Sequence, residues 1–172
     1  MTVSATPIHI RTLHESDKPA ILAIGRRVFR EDDEIPLLHK ALQLCVPPLS
    51  LVAVDDHKKV LGFTLVCKKI TKEYYQFLRS IPSSYELAFL GISPCSQGRG
   101  LGSRLLKETL HAIFQASRHF TCWLVVDDSN TTAMRLYEKL GFRHWAETHT
   151  LYPGRIMGLS HRRYREQVPN HA

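Results

Sequence analysis

The sequence predicts one mixed α/β domain, a central sheet flanked by helices. Two observations carry this. Strand-length apolar runs and helical patterns follow the order β-α-α-β-β-β-α-β-α-β-β across 172 residues. In the middle of the chain, the run from Glu86 to Ile92 feeds a glycine-rich loop that opens straight into an amphipathic helix. That helix then crosses back to a further strand, which should therefore lie parallel to the first.

Composition fits this picture. Hydrophobic residues at 44% and charged residues at 23% are ordinary for a soluble globular chain with a sizeable core. We place the domain at residues 1–160 and a basic polar tail at 161–172. No apolar run approaches a membrane span, and Met1-Thr-Val-Ser-Ala-Thr-Pro7 lacks a basic-then-apolar leader pattern. The expectation is an intracellular, cytoplasmic protein. Cys45, Cys67, Cys95 and Cys122 form no Cys-x-x-Cys pair, so we expect reduced thiols and no metal site. His9, His14 and His57 form no metal motif either. The formal net charge of +7 suits an anionic ligand or partner.

In order, Ile8 to Leu13 alternates as a first strand. Ser16 or Asp17 caps a helix with Pro19 in its first turn, and Ala20, Ile21, Ile24, Val28 and Phe29 share its apolar face. The acids Glu31-Asp32-Asp33-Glu34 precede a second helix to about Cys45, which Pro47-Pro48 stops. Leu49 to Val54 and Val60 to Cys67 form an antiparallel hairpin about the turn Asp55-Asp56-His57-Lys58. Residues 70–83 fit a short helix or an aromatic loop. The strand at 85–92 and the glycine loop lead to a helix ending near Ser117. Phe120 to Val126 is the parallel strand. Asp127 to Asn130 caps a helix that ends at Gly141. A strand from Phe142 to Tyr152, a turn at Pro153-Gly154-Arg155 and a short strand from Ile156 to Leu159 complete the order.

The loop Gln97-Gly98-Arg99-Gly100-Leu101-Gly102-Ser103 builds a backbone cradle for phosphate. Free N–H groups at a helix start face outward, the helix dipole favours an anion, and glycines allow close approach. It is not a P-loop, since no Lys follows Gly102. It is not a dinucleotide fingerprint, since Ser103 stands at the third glycine position.

The pattern Gln97-x-x-Gly100-x-Gly102 resembles the acyl-CoA pyrophosphate loop of the GNAT superfamily of N-acetyltransferases. Ser129-Asn130-x-x-Ala133-x-x-Leu136-Tyr137-Glu138-Lys139-Leu140-Gly141-Phe142 resembles that family's second signature, and Tyr152-Pro153-Gly154 its C-terminal hairpin. The resemblance spans residues 50–160; residues 1–48 match in element order only. It implies the GNAT acyl-CoA N-acyltransferase fold and direct transfer of an acetyl group from acetyl-CoA, a co-substrate, to an amine within a ternary complex, without metal. The acceptor would be a protein lysine, an N-terminus or a small amine, and the protein a monomer or homodimer.

The resemblance also implies residue roles. Leu90, Gly91 and Ile92 would pair through their backbone with the pantetheine arm, the amide of Leu90 or Gly91 polarising the thioester carbonyl. Gln97, Gly98, Arg99, Gly100, Leu101, Gly102 and Ser103 would hold the pyrophosphate, with help from Arg104. Asn130 would touch the pantetheine or cap its helix. Tyr137 would protonate the leaving thiolate, or else is a core aromatic. The proton of the incoming amine would pass to Glu86, or to Glu34 in the acidic segment. Val125 departs from the acid or His that several peptide N-terminal acetyltransferases carry two residues before the position of Asp127, which argues against a close match to ribosomal-protein or N-terminal acetyltransferases. Two other classes stay open: a catalytically silent acyl-CoA-binding module, and a nucleic-acid-associated protein using Arg162-Arg163-Tyr164-Arg165, although arginines so few make nucleic acid the lesser reading.

Overall fold

A computed structural model describes residues 6–29, 34–68, 81, 83–148 and 153–168. The acids at 31–33, the aromatic stretch within 70–80 and the approach to Tyr152 lie outside the described residues. The elements are β1 (Ile8–Thr12), α1 (Lys18–Val28), α2 (Glu34–Leu44), β2 (Leu51–Asp55), β3 (Val60–Cys67), β4 (Ser84–Ile92), α3 (Leu101–Ala116), β5 (Thr121–Asp127), α4 (Thr131–Lys139), β6 (Arg143–Glu147), β7 (Gly154–Ser160) and α5 (His161–Gln167).

The strands form one 7-stranded sheet in the order β1-β2-β3-β4-β5-β7-β6. The hairpin of β2 and β3 is antiparallel and β4 lies parallel to β5, as the sequence predicts. The helices cover both faces. On one face α1 and α2 bury Ile21, Ile24, Leu38 and Leu42 against Val52, Phe63 and Leu65. On the other, α3 buries Leu106, Leu110 and Ile113 against Leu87, Leu124 and Met157. Each helix presents one apolar stripe, so each can cover one side of the sheet.

Two expectations change. The turn at Pro153-Gly154-Arg155 is shorter, because Gly154 and Arg155 already pair with Asp127 and Val126 in β7. Glycine permits this: a Cβ at Gly154 would lie 2.7 Å from the carbonyl oxygen of Val126. The segment 161–172, read as a polar tail, contains α5. The Ser160 hydroxyl caps it by accepting from the Arg163 N–H at 3.3 Å, and Tyr164 stacks on Phe114 with centroids 4.6 Å apart.

The entrance to α1 is held by a paired charge. Asp17, 5% exposed, accepts from both terminal nitrogens of Arg11, at 2.7 and 2.9 Å, and from the backbone N–H of His14 at 2.8 Å. Arg11 holds the Asp17 carboxyl below the usual carboxylate range, and the His14 N–H adds to this. A lowered folded pKa makes this contribution complete above the ordinary carboxylate pKa and lost as pH falls through the folded value. Asp17→Ala should therefore cost about 2–3 kcal/mol in denaturant unfolding near neutral pH. The deficit relative to the parent should shrink as acid protonates Asp17 in the parent.

Candidate active site

The site begins at a defect in the sheet. Leu65 pairs with Phe89 but Val66 with Leu87, which leaves Ala88 as a bulge in β4. Bulges bend their strand and raise its twist. The parallel pairing with β5 covers only Ser84, Tyr85 and Glu86, opposite Thr121, Cys122 and Trp123. Beyond Glu86 the two strands part. The backbone groups of 87–92 that face away from β3 are thus offered to the gap as they would be on an edge strand.

The gap opens into a groove of about 1470 Å³. One end is the glycine loop, and Gly98, Gly100, Leu101, Gly102 and Ser103 line it. Gly98 and Gly100 both take φ of 73°, in the left-handed region that favours glycine, and a Cβ at either would meet nothing within 4 Å. The loop therefore faces open space at the start of the 16-residue helix α3. Its geometry is pinned by Gln97, whose Nε2 donates to the Ile92 carbonyl at 3.1 Å. The residues fit a pyrophosphate: backbone N–H groups, a helix dipole and no side chain in the way.

Leu90, Gly91 and Ile92 line the middle of the groove, facing Val125, Val126 and Asp127 of β5. Gly91 has a local reason to be glycine, because a Cβ would lie 2.6 Å from the Phe63 ring. Asn130 caps its helix and also lines the groove. Its Oδ1 accepts from the Ala133 N–H at 3.1 Å at the start of α4. The cap occupies the oxygen, so the amide nitrogen is the end left for a ligand.

The other end is walled by α1 and α2. Val28, Phe29, Glu34, Leu37 and Lys40 line it, with Glu86 and Phe89 from β4. Both candidate acids thus share one groove. Glu86 is 3% exposed. Its negative charge adds to burial in pushing the thiols of Cys67 and Cys122 up.

Arg99 and Arg104 sit elsewhere, and Tyr137 lies buried beside groove-lining residues without itself lining the groove. Arg99 is exposed and is not among the groove-lining residues. Arg104 turns away, its Nη1 donating to the Ile8 carbonyl at 3.0 Å, so it ties α3 to β1. Tyr137 is 8% exposed, its ring 5.8 Å from that of Phe142, while its neighbours Ala133 and Leu136 line the groove. Burial, aided by Cys122, pushes the Tyr137 phenol up to about 12, so it is held protonated at neutral pH. Sequence reasoning passed over Phe29, Phe89, Ser129 and Thr148, all groove-lining. Phe29 carried a signal, an aromatic at the end of an amphipathic helix; Thr148 carried none.

A family model described as "Acetyltransferase (GNAT) family" matches residues 12–142. The chain belongs to the GNAT acetyltransferase family. It is 27% identical over 143 residues to N-alpha-acetyltransferase RimI of Mycobacterium tuberculosis, covering 83% of each protein. It is 34% identical over 110 residues to the mycothiol acetyltransferase of Renibacterium salmoninarum, covering 60% of this chain but only 29% of that protein. Among solved structures, the fold matches the ribosomal-protein-S18-alanine N-acetyltransferase from Escherichia coli with a TM-score of 0.70 at 21% identity, covering 89% and 93% of the two chains. It matches a chain of the NatC complex bound to Gag peptide and CoA with the same TM-score of 0.70, at 18% identity over 89% and 98%.

As a GNAT enzyme, the protein is an acetyl-CoA-dependent N-acetyltransferase with acetyl-CoA as co-substrate and an amine as acceptor. Among the described residues no helix is long and apolar enough to cross a membrane, and no group of three or more His, Cys, Asp or Glu is placed to hold a metal ion. The arginines of the expected tail have protein partners: Arg163 Nε donates to the Gly141 carbonyl at 2.8 Å, and Arg162 pairs with Glu166 at 3.5 Å.

The loop gives a direct test. Gly100→Ala puts a side chain at a positive φ, costing about 1–2 kcal/mol of stability, and sets a methyl in the open space the loop faces. CoA affinity should fall more than tenfold, so the thermal shift on adding CoA should shrink well beyond the loss in the unliganded Tm.

Proposed function

We propose that this enzyme acetylates the α-amine of a protein or peptide N-terminus by direct transfer, with Glu86 taking the amine's proton and Tyr137 returning one to the CoA thiolate. The observation that carries the reading is the continuity of the groove. One open channel runs from the glycine loop, past the unpaired side of β4, to a wall that holds both Glu86 and Glu34. A channel of about 1470 Å³ has room for an extended peptide as well as the pantetheine arm. The similarity to a protein named N-alpha-acetyltransferase RimI supports the same acceptor class.

The chemistry follows from position. The splayed strand holds the thioester against the amide of Leu90, which faces away from β3, and this N–H stabilises the charge that develops on the carbonyl oxygen. Holding both reactants in one groove supplies much of the acceleration. Glu86 lies four residues before Leu90, at ~3.3 Å per strand residue. The carboxylate therefore collects the proton through water rather than by contact with the reacting nitrogen. Tyr137, kept neutral by burial, has a proton to give.

The test is thiol release, corrected for acetyl-CoA hydrolysis, across peptides with a free N-terminus, N-terminally blocked peptides containing lysine, and small amines. The acetyl group is located by mass spectrometry. Turnover confined to free N-termini is the expected result. Acetylation of lysine or of small amines alone would replace the proposed acceptor class.

A further inference from the structure

Cys45, just past α2, and Cys67, the last residue of β3, lie 22 residues apart in sequence yet directly opposite each other in an isolated antiparallel bridge. The Val46 N–H donates to the Val66 carbonyl at 2.8 Å, which makes the two cysteines a non-hydrogen-bonded cross-strand pair. Such pairs hold their Cα atoms about 4.5 Å apart with both side chains on one face. Disulfides span about 4.4–6.8 Å between Cα atoms, so the backbone already has the spacing. Both sulfurs also lie against the end of the same helix. Cys45 Sγ lies 3.6 Å from the Leu42 carbonyl oxygen and Cys67 Sγ 3.7 Å from that of Ala41, adjacent carbonyls in the last turns of α2.

We propose that Cys45 and Cys67 are an oxidation site, a cross-strand dithiol that a small-molecule disulfide converts into a protein disulfide. Cys45 is half-buried and Cys67 buried, so Cys45 meets the reagent first. Its thiolate attacks one sulfur of RS–SR, forming Cys45–S–S–R and releasing RS⁻. The Cys67 thiolate then attacks the Cys45 sulfur, closing the bond and releasing the second RS⁻. The two cysteine protons end on two RSH. The protein is oxidised by two electrons and RS–SR is reduced by two. Burial holds both thiols above their ordinary pKa, and the charge of Glu86 adds to this at Cys67, so closure is slow near neutral pH and quickens as pH rises.

The position gives the bond a consequence. Cys67 pairs in register with Glu86 across β3 and β4, and α2 carries Glu34, Leu37 and Lys40 into the groove wall. A closed bond ties that helix to the strand end beside Glu86, so the oxidation state is felt at the acceptor side of the groove.

The experiment treats the folded Cys95→Ser protein, which lacks the exposed thiol, with oxidised glutathione. Intact mass and peptide mapping without reductant are then read. Loss of two hydrogens, a linked Cys45–Cys67 peptide and no retained glutathione are expected. Adding Cys67→Ser should instead trap a glutathione adduct on Cys45, and adding Cys45→Ser should leave Cys67 unmodified. A lasting adduct on Cys45 with Cys67 present, a bond to Cys122, or closure only after denaturation would overturn the proposal. Mass alone decides this, so failure would leave the acetyl-transfer reading untouched. Acceptor KM should differ between the reduced and closed forms while acetyl-CoA KM does not; equal acceptor KM would overturn the coupling to the groove.

Discussion

Glu86→Gln should lower kcat/KM for the acceptor by about 10²- to 10⁴-fold and leave the thermal shift produced by CoA unchanged. The substitution keeps the shape of a side chain that is 3% exposed and sits on the groove floor, and removes only its capacity to take a proton. It lies between Cys67 and Cys122 on the strands to either side, whose thiols burial pushes up and the Glu86 charge pushes further. An amine enters the reaction only as the free base, and a peptide α-amine titrates at about 7.7–8.0. With Glu86 gone, residual activity should track the free-amine fraction, falling about tenfold per pH unit below that range. Glu34→Gln is the matched control, because Glu34 lines the same groove from α2. A larger loss there would move the base to Glu34. Full turnover in both variants would mean that the proton leaves to bulk water and that neither carboxylate is needed.

What the sequence made legible, and what it did not, divides along the range of the interaction that decides each feature. The strand, glycine loop and helix start at 86–106 are local: an apolar run, a proline and glycines with positive φ suffice, and the structure keeps them. Asn130 is equally local, because a cap acts on an N–H three residues on. The bulge at Ala88 is not local. No Gly or Pro marks it, and only the pairing of β4 against β3 creates it. Yet that bulge and the parting of β4 from β5 make the groove. Arg104 shows the same limit in reverse. Beside the phosphate loop in sequence it reads as a phosphate ligand, but its partner is the Ile8 carbonyl, 96 residues away. The helix at 161–167 escaped notice because its charged composition hides one apolar contact, Tyr164 on Phe114.

Tyr137→Phe separates the two roles open to that residue, because they predict different measurements. A phenol that protonates the CoA thiolate supplies about 10²-fold, so kcat should fall by that order while KM for acetyl-CoA holds. A ring that only fills the core against Phe142 would leave kcat intact, since Phe keeps the ring and loses one oxygen. The alkaline limb of stability gives an independent check on burial. Burial raises the phenol from the ordinary 10.0 to about 12 in the folded state. A raised folded pKa means that the contribution is whole below the unfolded pKa and lost as pH climbs through the folded one. Ionisation in the unfolded chain thus draws away about 2–3 kcal/mol between those limits. Tyr137→Phe cannot ionise, so across that interval its stability should decline less steeply than the parent's. An unaltered alkaline limb would mean that the phenol is wetter than its position in the core indicates. A flattened limb with unchanged kcat would keep the burial and discard the general acid, leaving water at the mouth of the groove to protonate the departing thiolate.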